Sequence, residues 1–326
     1  ARAAATAAAI PTGEGALAEE SEGSGEPLPR HKTMTLLGGV FVVAGCGLAY
    51  ELIMSTAAAY FLGDTVTQFS VTIGIFLSAL GLGAAVSRRV TKNLLTTFVS
   101  IEIAIALIGG LSAAVIYVAY GWTQATRGVT LVLPVIVGML VGLEIPILTR
   151  LLAPQGDLRT VLSNVLSFDY FGGLLAALAY PLLLLPNAGI VRSALVFGTL
   201  NAVVAVATSL VFRNDRVGVR RLVPVAIATL LLLVGGFFAA QSLIGAVEQR
   251  LYRGDIVATK QTRLQRVAVV RGRHGGVDMF LDGHVQFSSL DERRYHEAMT
   301  HPAMGANPNR TNVLIIGGGD GLIARE

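Results

Sequence analysis

Three groups of residues could do chemistry. The first is the run Asn312-Val-Leu-Ile-Ile-Gly-Gly-Gly-Asp-Gly-Leu-Ile-Ala-Arg-Glu326. Its apolar start predicts a buried parallel strand, followed by a glycine-rich turn and the first residues of a helix. That geometry turns backbone N–H groups and a helix start towards a nucleotide-like ligand. Gly317, Gly319 and Gly321 would permit close approach because no Cβ intervenes. The spacing is G-x-G-x-G, not the G-x-G-x-x-G of dinucleotide sites, and a strand-to-helix turn without ligand is the alternative. Asp320, inside the turn, could hold an ammonium group or only cap the new helix.

The second group lies just upstream. Asp291-Glu-Arg-Arg-Tyr-His-Glu297 predicts a helix over 291–299, capped by Ser288 or Ser289, with acids in its first turn. It presents Tyr295 and His296, which could touch a ligand; an ordinary surface histidine on a charged helix is the alternative for His296. The third group is four acids, Glu51, Glu102, Glu144 and Asp169, inside long apolar runs. An ionisable group in a membrane is costly, so it faces a bundle interior, pairs, or stays protonated. Two readings stay open. The acids pair with Arg88, Arg150 or Arg159 near span ends, or they line a cavity for a cation or a proton.

The elements that must position these groups fall into two halves. The chain has 326 residues, 53% hydrophobic and 14% charged, against about 25% charged in a soluble domain. Charges are sparse from 33 to 245 and dense from 247 onward. The predicted fold class is an α-helical polytopic membrane bundle of about seven spans, then a small β-rich subdomain and the start of a Rossmann-like α/β methyltransferase-type fold. Three domains follow: a disordered tail at 1–33, helical spans at 34–246, and a soluble segment at 247–326. Roughly 20 apolar residues cross a bilayer, which gives spans at 34–62, 66–87, 94–120, 129–149, 161–185, 190–212 and 219–244. Small residues, as in Gly138-Met-Leu-Val-Gly142, predict close helix approach. Pro134, Pro146, Pro181 and Pro186 predict kinks or broken turns. Short β-runs at 266–270 and 277–281, joined by a turn at His274-Gly-Gly, precede a strand through Val285 and Phe287.

Net charge is +4, but the arginines sit in short loops and no basic tract with interleaved aromatics suggests nucleic acid. Arg88, Arg89, Lys92, Arg150, Arg159, Arg213, Arg216, Arg220 and Arg221 occupy the even loops. The positive-inside rule sets those loops and the N-terminus in the cytoplasm and, with seven spans, the soluble segment outside; an even span count through a re-entrant segment, or an inside-facing domain that breaks the rule, stays open. The single cysteine, Cys46, excludes a disulfide or a Cys-based metal site within the chain and reads as a packing residue; no metal site is expected. The tail carries no signal-peptide pattern, and a first residue other than Met implies a processed or trimmed start.

Leu281-Asp-Gly-His-Val-Gln286, Asp291 to Glu297, and Val313 to Gly321 together resemble the polyamine aminopropyltransferases, the spermidine synthase family, over 250–326. The arrangement of spans before this segment is similar to the membrane-anchored branch of that family, as are Tyr50-Glu51 and the stretch from Asn164 to Arg192. The resemblance implies transfer of an aminopropyl group from decarboxylated S-adenosylmethionine, a co-substrate rather than a covalently bound cofactor, to putrescine. Spermidine and methylthioadenosine would be the products. It implies a homodimer, with Tyr295, His296 and Asp320 at the polyamine and Gln265, Gln286 and the glycine turn on the donor side. Leu264 departs from the family's tyrosine before that glutamine. The family's catalytic aspartate would lie beyond Glu326, so these residues alone are expected to be inactive. A cation or polyamine transporter with a synthase-like sensing domain is the competing expectation. A methyltransferase is disfavoured by the Asp-Gly-x-x-Gln and Tyr-His-Glu motifs.

Overall fold

A computed structural model describes residues 28–123, 125–252, 254–262, 265–272, 275–306 and 311–326. The predicted tail therefore lies outside the described residues except for 28–33. Helix α1 (Arg30–Leu62) already starts at Arg30, so helix replaces tail for residues 30–33. It is followed by α2 (Thr65–Val86), α3 (Leu94–Trp122), α4 (Thr126–Leu152), α5 (Leu158–Ala179), α6 (Leu185–Val211) and α7 (Val217–Leu251).

Among the described residues, six helical runs are long and apolar enough to cross a membrane. The fifth, Leu158–Val211, has 54 residues, about 81 Å if straight, far more than one bilayer crossing. It does not run straight. Pro181 lacks the N–H for a regular turn, and Tyr180–Leu184 widens into a π-helix. Gly189 then takes φ 74°, ψ 179° and breaks the helix. The two ends of the run return to one place: Thr33 donates to Gln155 Oε1 at 3.0 Å, and Lys32 pairs with Asp215 at 2.5 Å. The run is thus two helical segments that fold back on each other at Gly189, inside the gap the sequence leaves between 185 and 190.

α1 occupies the centre and packs against α2 through α6, while α7 lies outside against α3 and α6. The close contacts are made at glycines. A Cβ on Gly172 of α5 would lie 2.0 Å from the Phe41 carbonyl oxygen of α1. On Gly142 of α4 it would lie 2.2 Å from the Leu80 carbonyl, and on Gly83 of α2 2.1 Å from that of Met139. Bare glycine faces let backbones touch where lipid gives no hydrophobic drive for helix association. Facing outward are Leu77, Leu131, Leu174, Leu182, Leu231 and Phe238, an apolar surface that matches acyl chains rather than water. Cys46 is buried, with its thiol 3.4 Å from the Phe197 carbonyl.

The far end of α7 leads into a four-stranded antiparallel sheet, β1 (Asp255–Gln261), β2 (Arg266–Arg271), β3 (Val277–Leu281) and β4 (His284–Ser288), in the order β1-β2-β3-β4. The β2–β3 turn uses Gly275 at φ 81°; His274 lies outside the described residues. The Ser289 hydroxyl accepts from the Val277 N–H at 2.7 Å, which ties the start of β3 to the turn before α8 (Glu292–Ala306). Arg266 of β2 forms a two-pronged ion pair with Glu248 of α7 and anchors the sheet on the bundle. Burial opposes the Arg266 charge, but the Glu248 carboxylate outweighs it and holds the guanidinium above its ordinary range.

The predicted Rossmann-like start is not formed. Residues 312–316 form no strand, with a bend at Ile316, and Leu314 and Ile316 are 85% and 90% exposed. A parallel strand needs neighbours for its N–H and C=O groups and a cover on both faces, and no described residue supplies either. The glycine turn then leads into α9 (Leu322–Arg325), a single turn.

Candidate functional site

Two polar contacts fold the glycine turn back onto α8. Arg325 of α9 pairs with Glu292 at 2.7 Å. His296, buried on the inner face of α8, lies with Nε2 3.3 Å from Asp320 Oδ2 and Nδ1 2.6 Å from the Glu292 carbonyl. A ring nitrogen facing a carbonyl carries its hydrogen, so the Glu292 carbonyl orients the imidazole towards the turn. Asp320 caps the new turn, its Oδ1 accepting from the Leu322 N–H at 3.0 Å, while Oδ2 meets the histidine. The Leu322 amide, and after it His296, hold the Asp320 carboxyl below the usual carboxylate range. The result is an ionised, partly exposed carboxylate, the group needed to pair with an ammonium. Tyr295 stands edge-on to the imidazole, 5.2 Å between centroids, and is 54% exposed. His296 is thus no ordinary surface histidine.

In the turn, Gly317, Gly318 and Gly321 have positive φ, whereas Gly319 does not. A Cβ on Gly317, Gly319 or Gly321 would meet nothing within 4 Å. Gly317 and Gly321 are therefore required by backbone conformation here, and close approach to a partner is not seen at any of the three.

Gln265 and Gln286 are elsewhere. They line a cavity of about 560 Å³ between the sheet and the end of the bundle, which His296, Asp320 and the glycine turn do not enter. The sheet also gives Asp282 and His284 to this cavity, and the bundle gives Tyr60, Asn187 and Arg192. Asp282 takes the left-handed conformation at φ 48° and accepts from the Arg266 N–H at 2.8 Å. Burial raises its carboxyl above the ordinary range, against the pull of that N–H. Sequence reasoning missed the bundle's share of this wall. Its trace was the likeness of the stretch ending at Arg192, which names no role for Tyr60 or Arg192. Leu264, the departure beside Gln265, lies outside the described residues.

The four acids of the spans divide. Glu51 of α1, Glu144 of α4 and Asp169 of α5 line a second cavity, of about 720 Å³, inside the bundle. Glu102 of α3 is buried behind Glu144 and accepts from Asn201 Nδ2 at 3.0 Å. The pairing with Arg88, Arg150 or Arg159 does not form among the described residues. Arg150 instead donates to the carbonyls of Pro146, Val90 and Ser87. It satisfies the frayed end of α2 and the turn after it, where helix carbonyls lack intrahelical partners.

Residues 292–326 match the spermine/spermidine synthase domain family. Over a longer stretch the chain is similar to the polyamine aminopropyltransferase of Leptospira interrogans, 42% identical over 289 residues, which cover 88% of this chain and 57% of that protein. Polyamine aminopropyltransferase 1 of Ralstonia nicotianae is 39% identical over 94% of this chain and 59% of its own length. Polyamine aminopropyltransferase 1 of Streptomyces coelicolor is 36% identical over 89% and 56%. The chain thus spans a little over half the length of these relatives, and the similarity takes in the helical bundle as well as the sheet. No solved structure matches the chain.

Proposed function

We propose that this chain forms the membrane-embedded part of a polyamine aminopropyltransferase. The observation that carries the reading is the contact between His296 and Asp320, which joins two of the three resembling motifs around one ionised carboxylate. Similarity to aminopropyltransferases over the whole described bundle supports it. In the reaction, an amine of putrescine attacks the carbon next to the sulfonium of decarboxylated S-adenosylmethionine. A C–N bond forms, the C–S bond breaks, methylthioadenosine leaves, and the attacking nitrogen loses a proton to give spermidine. Asp320 holds the distal ammonium of the acceptor, so that the attacking amine is oriented rather than free. His296 positions Asp320. Gln265 and Gln286 serve the donor from the bundle-facing cavity, and the active unit is a homodimer.

The seven helices span a bilayer. Their basic loops lie at the end opposite the sheet, and the charge rule sets that end in the cytoplasm and the sheet outside. One experiment tests activity and sidedness together. The whole protein is reconstituted in sealed vesicles of known orientation, both substrates are supplied on one side, and methylthioadenosine is measured. Transfer is expected when substrates reach the sheet side, and Asp320→Asn lowers kcat/KM by roughly 100-fold. An undiminished Asp320→Asn enzyme sinks the assignment of that carboxylate, and turnover only from the basic-loop side sinks the orientation. A cation transporter is the second reading, favoured by the acids lining one cavity within the bundle; diamine uptake in the same vesicles would reveal it.

A further inference from the structure

The cavity inside the bundle is a cleft with a floor and two walls. α1 and α4 form the floor with Glu51 and Glu144, and α2 and α5 form the walls. Leu77 of α2 and Tyr170 and Leu174 of α5 line it and are exposed, so the cleft opens sideways on the apolar surface of the bundle. Its lining is otherwise mainly apolar, with Phe76 and Tyr170 among aliphatic side chains, apart from three carboxylates on three different helices.

None of those three acids has a basic partner among the described residues. Glu144 is 3% exposed and borders the cleft, and its carboxyl hydrogen-bonds to that of Glu102 behind it. Buried carboxyls without a basic partner need a proton or a cation beside them. No group of three or more acidic, histidine or cysteine side chains among the described residues converges as a multidentate metal site would require. Carboxylates carried on three separate helices around a mainly apolar lining suit positive charges joined by methylene groups.

We propose that this cleft binds a linear diammonium cation, with one ammonium on Glu144 and the other on Glu51 or Asp169, and the methylene chain along the aliphatic wall. The inference stands on the cleft and not on the aminopropyltransferase reading.

The test uses the 326-residue chain in lipid nanodiscs, titrated with 1,4-diaminobutane, n-butylamine and sodium chloride. The diamine is expected to bind at least tenfold more tightly than the monoamine, and sodium not to compete at equal ionic strength. Glu144→Gln weakens the diamine at least tenfold, and Glu51→Gln and Asp169→Asn weaken it less. Because a carboxamide could disturb the packing around Glu102, Leu174→Trp at the exposed rim provides a variant that blocks the cleft from outside; it too abolishes binding. A double variant, His296→Ala with Asp320→Asn, leaves binding unchanged, which separates this cleft from the polyamine site proposed above. In addition, a hydrophobic carbodiimide labels Glu144, and 1,4-diaminobutane slows that labelling. Equal affinity for butylamine and diaminobutane, binding that survives both Glu144→Gln and Leu174→Trp, or labelling that the diamine does not slow would each overturn the proposal.

Discussion

Glycine does opposite work at the two ends of this molecule. In the bundle, Gly83, Gly142 and Gly172 are ordinary helical residues whose missing side chains let a neighbouring backbone lie where a Cβ would be, within 2.0 to 2.2 Å. In the turn before α9, Gly317 and Gly321 have positive φ and open space around them. The bundle glycines serve packing that is complete within the described residues. The turn glycines serve a backbone shape whose surroundings are empty. The same residue type thus reports a filled contact in one region and a backbone conformation in the other.

The comparison is broken or sharpened most sharply at Gly172. Gly172→Ala forces α1 and α5 apart against a backbone oxygen that cannot rotate away, and is expected to cost about 3 kcal/mol, the upper part of the overpacking range. Gly319→Ala, with a negative φ and open space, is expected to leave the thermal midpoint of the detergent-solubilised protein unchanged. If both variants melt alike, the contrast between the regions fails. A smaller effect belongs at the junction. Glu248→Ala strands Arg266 beneath the sheet and is expected to cost about 2 kcal/mol, at the low side of a broken buried pair because the arginine keeps partial access to water. Limited proteolysis across 253–265 reads it: cleavage should quicken as the sheet loosens, while the bundle midpoint moves little. Unchanged cleavage would mean the sheet is held by other contacts.

How much could be read from the sequence follows the same division. Each long helix was legible because its run of apolar residues is long enough to cross a membrane. The reversal within 158–211 was legible because Pro186 and Gly189 cluster between two such runs. Strand β1 was missed: Asp255-Ile-Val-Ala-Thr-Lys-Gln261 is largely exposed, so it lacks the apolar alternation that marks a half-buried strand. Residues 312–316 failed the other way. Val-Leu-Ile-Ile has the composition of a buried parallel strand, but burial needs partner strands, and composition does not supply them. Of the candidate residues named from the sequence, His296 and Asp320 meet. Gln265 and Gln286 line a separate cavity walled by Tyr60, Asn187 and Arg192, and contacts between distant segments leave no local periodicity to read. The expected pairing of the span acids with arginines failed because Arg150 is taken up by free carbonyls at the end of α2.

The smallest expected effect probes the seam between the regions. Asp282 closes the β3–β4 turn, accepts from the Arg266 N–H, and faces the cavity against the bundle. Burial raises its carboxyl above the ordinary value of 3.8. A group raised on folding favours the fold fully below its unfolded value, and that contribution is lost as pH rises through the folded one. The wild-type protein therefore carries a small cost from ionised Asp282 at neutral pH. Asp282→Asn keeps the acceptor for Arg266 and tolerates φ 48°, since asparagine enters the left-handed region readily. The variant is expected to gain about 0.5 kcal/mol at pH 7, reduced from a buried-charge value because the group is half in water, and to gain nothing near pH 3.5. Subtracting wild-type from variant at each pH removes the opposite slope contributed by Asp320 and Glu292, whose carboxyls are lowered on folding. A difference that does not grow between those two pH values would mean that Asp282 is as well solvated at the seam as in the unfolded chain.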